Sequence, residues 1–181
     1  RPADGTFDVV AADVGQGTAV LVRTRRHALL FDSGPQYSRE SDAGQRVLVP
    51  LLRSRGEHRL DLLVLSHRDS DHVGGARALL GAIDVDSLAS SLEDGHPLLE
   101  AARDAHRCVA GQRWRWDGVE FAVLEGKLLG VDDCLLALAS KDPDRVFTGR
   151  SHWISLLSEI LPRALLAELG LAKILLGSSG G

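Results

Sequence analysis

The sequence predicts one layered α/β domain, mixed sheets covered by helices, and three observations predict it. At 181 residues the chain is long enough for one sizeable core and too short for two ordinary domains. Its 44% apolar and 25% charged composition is that of a globular protein. Short apolar runs alternate irregularly with amphipathic stretches, with no internal repeat and no long linker, which suits sheets packed against helices.

The elements follow in order. Val9 to Ala12, Ala19 to Arg23 and Ala28 to Phe31 read as short strands, separated by glycine-bearing turns such as D-V-G-Q-G-T. Val47, Leu48, Leu51 and Leu52 recur at helical spacing behind Asp42, a suitable N-cap, and ahead of Gly56, a suitable stop. Pro50 should kink this helix or split it in two. Leu60 to Leu65 is a nearly continuous apolar run and reads as a buried strand. A short helix follows from near Gly75, then a strand within Asp84 to Leu92. A helix is expected over Pro97 to His106, with His96 and His106 as surface or capping residues.

Gly111 to Leu124 reads as a hairpin turning at Asp117-Gly118. Trp114 and Trp116 share one face of its first strand, Arg113 and Arg115 the other. Such a pattern can stack on bases and grip phosphates, but paired tryptophans are more often core. Cys134 to Ala139, Arg145 to Thr148 and Lys173 to Leu176 are further strands, and Ile154 to Leu169 a helix interrupted by Pro162.

A net charge of −4 gives no global basic field. Arg23, Arg25 and Arg26 form one local basic cluster, and Arg53, Arg55, His58 and Arg59 another; each reads first as a solvated face. Cys108 and Cys134 allow at most one disulfide and are read as two small buried hydrophobes. No run of about eighteen apolar residues is present, and the opening R-P-A-D-G-T-F does not read as a secretory signal. The chain contains no methionine, so the expectation is a single domain over residues 1–181 cut from a larger protein.

The chemistry concentrates in residues 66–75, S-H-R-D-S-D-H-V-G-G. Two imidazoles and two carboxylates fall within six positions, where a buried strand ends. If the backbone stays extended, His67, Asp69 and Asp71 project to one side, and His72 turns toward them as the chain bends at Gly74 and Gly75. Such a set could hold divalent cations that activate a water and clamp a phosphate or carbonyl. The bland alternative is an Asx-rich turn capping a helix.

His67-x-Asp69-x-Asp71-His72 resembles the H-x-[HD]-x-D-H motif of the metallo-β-lactamase superfamily. D-V-G-Q-G-T-A-V-L-V at 13–22, L-L-F-D-S-G-P at 29–35 and A-G-Q-R-W-R-W-D-G-V at 110–119 further resemble the DNA-internalisation competence proteins of the ComEC type. The resemblance covers roughly residues 8–124. It implies an αββα four-layer sandwich with the metal site at one edge of the sheets. It also implies His67, Asp69, Asp71 and His72 as metal ligands, with Asp71 and His72 essential for catalysis. The implied role is a nuclease-like domain of a bacterial inner-membrane protein on the extracytoplasmic, periplasmic side. The resemblance implies as partners DNA, as a single strand or the non-transported strand, and the remaining transmembrane part of the same protein. The carboxylate at Asp69, where other members carry histidine, favours manganese or magnesium, with zinc still admissible. The two basic clusters would then hold the phosphate backbone.

The later part departs from the family pattern. Arg150 stands in T-G-R where a bridging aspartate belongs, and Ser178 or Ser179 where late histidines belong. A guanidinium among the carboxylates could replace the metal, and His152 is a substitute ligand only if it turns inward. The alternative function is therefore a catalytically degenerate DNA-binding or structural domain without metal.

Overall fold

The computed structural model describes residues 1–124, 134–139 and 173–176. The strand expected at Arg145 to Thr148 and the helix at Ile154 to Leu169 lie outside these residues, as do Arg150, His152, Ser178 and Ser179.

A six-stranded sheet is built from β1 (Asp8–Ala11), β2 (Val20–Arg23), β3 (Ala28–Phe31), β6 (Arg59–Leu65), β7 (Asp84–Ser90) and β8 (Ala105–Arg107), in that spatial order. β1, β2 and β3 pair antiparallel; β3, β6, β7 and β8 pair parallel. An antiparallel four-stranded sheet holds β9 (Arg113–Trp116), β10 (Val119–Leu124), β11 (Leu135–Ala139) and β12 (Lys173–Leu176). A small ribbon, β4 (Gln36–Ser38) and β5 (Ser41–Asp42), stands outside both sheets.

Strand alternation divides the apolar residues between two cores. Leu21, Leu30, Leu63 and Leu65 face the helices; Val22, Leu29, Phe31, Leu62 and Val64 face the second sheet with Val119, Phe121 and Leu136. β6 is therefore buried on both faces, which is why it reads as a nearly unbroken apolar run. The helices are α1 (Val49–Ser54), α2 (Ser70–Val73), α3 (Ala76–Ala82) and α4 (Pro97–Ala101). Helices, six-stranded sheet and four-stranded sheet make three layers of the expected sandwich.

The helix around Pro50 is split as its sequence suggests. A π-wound turn, Gly44–Leu48, runs into α1, where Pro50 occupies the first turn and needs no N–H partner. Asp42 Oδ1 accepts the Gln45 N–H at 2.8 Å, and Gly56 ends the helix with φ +73°. Two expectations fail. The helix expected over Pro97 to His106 stops at Ala101, because Ala105–Arg107 joins β7 as the parallel strand β8. Pairing along an open sheet edge outcompetes a marginal helix. Cys108 and Cys134 are not separate buried hydrophobes but one disulfide. Their partnership spans 26 positions and links the exit of β8 to the entrance of β11, contacts invisible to local pattern.

Candidate functional site

β3 and β6 are parallel neighbours, so both deliver their C-terminal residues to the same sheet edge. β3 is followed by Asp32 and β6 by Ser66 and His67. Asp32 is fully buried and holds φ +58°, a left-handed conformation uncommon outside glycine. Its Oδ1 accepts the Ser66 N–H at 2.8 Å, and its Oδ2 accepts the Ser66 hydroxyl at 2.8 Å. Oδ2 also lies 2.7 Å from His72 Nδ1. Ser33 N–H and Ser33 Oγ both donate to the His72 carbonyl at 2.8 Å. Ring and carbonyl of His72 are thus fixed by two consecutive residues forty positions earlier. Burial pushes the Asp32 carboxyl up, while His72 and Ser66 pull it back down.

The ligand loop is not extended throughout. Asp69 is extended (φ −68°, ψ 149°), but α2 begins at Ser70, so Asp71 and His72 sit on a helical turn. The four side chains consequently form two pairs rather than one row. His67 Nδ1 is 3.1 Å from Asp69 Oδ2 and also accepts the Asp69 N–H at 3.2 Å. His72 Nε2 is 3.5 Å from Asp71 Oδ2. The two imidazoles meet edge to face with centroids 5.7 Å apart.

This donor set fits a divalent cation. An imidazole nitrogen and a carboxylate oxygen bound at about 2.1 Å on one metal lie about 3.0–3.4 Å apart at right-angled to tetrahedral geometry, close to both pair distances. His67 Nδ1 cannot accept the amide and donate to Asp69 together, and a cation held by this nitrogen and the carboxylate would displace the amide contact. Asp32 on the far nitrogen of His72 repeats the carboxylate–histidine–metal arrangement in which the outer carboxylate fixes ring orientation. Among the described residues no three donors converge on one point, so each pair would offer a cation only two donors.

Glycines let the backbone close around this loop. A Cβ on Gly17 would lie 2.2 Å from the Asp71 carbonyl oxygen, and Thr18 N–H bonds that same oxygen at 3.2 Å. A Cβ on Gly74 would lie 2.1 Å from the Gln36 nitrogen of β4. From the other side, Cys134 N–H donates to the Ser66 carbonyl at 3.1 Å and Ser91 Oγ donates to it at 2.8 Å. The disulfide therefore backs directly onto the start of the ligand loop.

Sequence reasoning identified His67, Asp69, Asp71 and His72 but passed over Asp32, Ser33 and Ser66. A signal exists: Asp32 is a charged residue immediately after a four-residue apolar strand and lies in the L-L-F-D-S-G-P stretch that carries the family resemblance. The basic clusters are not beside the loop. The Thr24–His27 turn and Arg53–Arg59 lie at the opposite end of β3 and β6, roughly 20 Å away by strand rise. Arg23 pairs with Asp8 and Glu57, Arg26 with Asp117 and Arg59 with Asp86, so these guanidiniums are matched by carboxylates. Trp114 and Trp116 are half-buried and pack against the core between the sheets: Trp114 stacks on Phe121 at 5.2 Å, and His27 stacks on Trp116 at 4.9 Å.

Residues 12–132 match the family model described as the metallo-beta-lactamase superfamily. The chain is 40% identical over 146 residues to competence protein ComA of Neisseria gonorrhoeae, covering 78% of the chain and 19% of that protein. It is 35% identical over 121 residues to recombination protein 2 of Haemophilus influenzae, covering 66% of the chain and 14% of that protein. It therefore spans less than a fifth of these relatives. Among solved structures, metallo-beta-lactamase SMB-1 superposes with a TM-score of 0.55 at 13% identity, over 88% of this chain and 70% of that one. A subclass B3 metallo-beta-lactamase from a soil metagenome library gives 0.54 at 16% identity, over 77% and 57%. These two show the fold alone. With an H-x-D-x-D-H loop at the ends of parallel strands, a two-sheet sandwich and these matches, the chain belongs to the metallo-beta-lactamase superfamily, in the segment that ComEC-type competence proteins share.

Proposed function

We propose that this segment is a metal-dependent phosphodiesterase module acting on DNA within a DNA-uptake protein. The observation that carries the reading is the Asp32–His72 contact at 2.7 Å, which orients one imidazole of a loop otherwise made of metal-binding side chains. His67 with Asp69, and Asp71 with His72, would hold one or two divalent cations. Such an ion supplies Lewis-acid charge stabilisation and a deprotonated water at neutral pH. Two carboxylates among four donors favour manganese or magnesium over zinc.

The chain's own residues prepare the site. Asp32 holds the Nδ1 proton of His72 and so keeps Nε2 as the lone-pair donor. Ser66 positions Asp32 through both its N–H and its hydroxyl. The Thr18 N–H and Ser33 fix the main chain of Asp71 and His72. The names of the relatives, competence protein and recombination protein, support DNA as the substrate. The Cys108–Cys134 bridge supports an extracytoplasmic location, since disulfides persist in oxidising compartments. Among the described residues no helix is long and apolar enough to cross a membrane.

The test is cleavage of end-labelled single-stranded DNA by the purified chain with manganese, beside an Asp71→Ala, His72→Ala control, with bound metal counted by mass spectrometry. Metal-dependent cleavage that the control loses supports the module. DNA retained in a salt-dependent way without metal or cleavage supports the degenerate binding domain instead, as Arg150, Ser178 and Ser179 would favour.

A further inference from the structure

The β4–β5 ribbon is the one element that the fold and the ligand loop do not account for. It belongs to neither sheet, its first strand is exposed throughout, and it stands beside α2, which carries Asp71 and His72. On it sits Tyr37, 44% exposed, one of two large apolar side chains left open to solvent among the described residues. Tyr37 is nonetheless fixed: its hydroxyl donates to the Val14 carbonyl at 2.9 Å. Val14 belongs to the glycine turn that, three residues on, packs Gly17 against the Asp71 carbonyl. Ribbon, glycine turn and ligand loop therefore form one rim.

Arg39 lies at the ribbon turn, two residues from Tyr37, and is exposed. It forms no ion pair among the described residues, a state it shares with Arg25, Arg46 and several others, but it alone of these lies on the ribbon that carries Tyr37. Without a metal, Asp69 and Asp71 present 62% and 44% exposed side chains that repel a phosphate, and a nearby guanidinium offsets that repulsion. A fixed aromatic face beside an uncommitted guanidinium is what an unstacked base and its backbone require. Base pairs in a duplex hide their faces, so the partner is single-stranded.

We propose that Tyr37 and Arg39 form a single-strand DNA docking surface, Tyr37 stacking on a base and Arg39 contacting a phosphate, which leads the strand to the ligand loop. The proposal rests on the DNA reading above and assigns the strand-gripping role to the ribbon, in place of the distant basic clusters.

The experiment is fluorescence anisotropy of a labelled single-stranded oligodeoxynucleotide with the whole 181-residue chain, in EDTA so that nothing is cleaved. Tyr37→Ala should weaken binding about 5- to 100-fold, while Tyr37→Phe, which keeps the ring face, stays within about threefold. Arg39→Ala should flatten the dependence of log K on log salt by about 0.7, one phosphate contact on a single strand. Unchanged binding by Tyr37→Ala, or equal losses for the alanine and phenylalanine variants, overturns the stacking role. Failure of the unmutated chain to bind the strand at low salt overturns the surface. The Asp71→Ala, His72→Ala variant separates the two proposals. Manganese-dependent cleavage without a Tyr37 effect tells against this surface alone. A Tyr37 effect on binding without any cleavage tells against the metal reading alone.

Discussion

Asp32 is the residue on which the geometry of the loop turns. It satisfies Ser66 twice and His72 once, in a buried position and in a strained left-handed conformation. Outer carboxylates of this kind typically contribute 10- to 100-fold to metal affinity. Asp32→Asn should therefore weaken manganese binding by about that factor, as read by titration calorimetry, because an amide cannot serve Ser66 and His72 with acceptors alone. The four ligand candidates were legible in the sequence because they fall within six positions. Asp32 was not, because its partner is forty residues distant and local pattern holds no information about that approach.

At the scale of elements, the β2–β3 hairpin is clasped to the β9–β10 hairpin through Asp117. Its carboxylate accepts the Thr24 hydroxyl at 2.7 Å, the Arg26 N–H and Nε at 2.7 Å each, and faces His27 Nδ1 at 3.0 Å. Burial alone would push this carboxyl up, but the bonds from Thr24, His27 and Arg26 hold it well below the usual carboxylate range. A carboxyl with a depressed folded pKa contributes stability above its unfolded value, near pH 3.9, and loses it as the pH falls toward the folded value. Asp117→Asn should be less stable at neutral pH by roughly 1.5–3 kcal/mol, the worth of hydrogen bonds to a charged group. Its stability should also fall less steeply than that of the parent below about pH 4, a difference that urea unfolding across pH would show. The same clasp ties the Arg26 Nε to a carboxylate. Sequence placed the D-G turn correctly but saw in the arginines only a charged cluster.

Across the whole molecule, the disulfide joins the edge of the six-stranded sheet to the second sheet and ends beside Ser66. Closing a loop with a sequence separation of 26 stabilises by roughly 3–4 kcal/mol through the unfolded chain. Reduction should therefore lower the denaturant midpoint, and Cys108→Ala, Cys134→Ala should match the reduced parent. It should also loosen the ligand loop, seen as faster amide exchange at Ser66, His67 and the neighbours of Cys134. If the reduced chain keeps the stability of the oxidised one, the bridge is incidental to the fold.

The sequence by itself determined the short strands from Val9 to Phe31, the buried run of β6, the split helix at Pro50, the Asp117-Gly118 turn and the four ligand candidates. Each is written in neighbouring residues, as periodicity, turn chemistry or a dense motif. Tertiary structure decided what depends on approach between distant segments: Asp32 on His72, the pairing of Cys108 with Cys134, β8 as strand, and Arg23, Arg26 and Arg59 paired with carboxylates. Parallel pairing of β3 with β6 sets Asp32 beside Ser66, and that pairing orients His72 within the local cluster of ligand candidates.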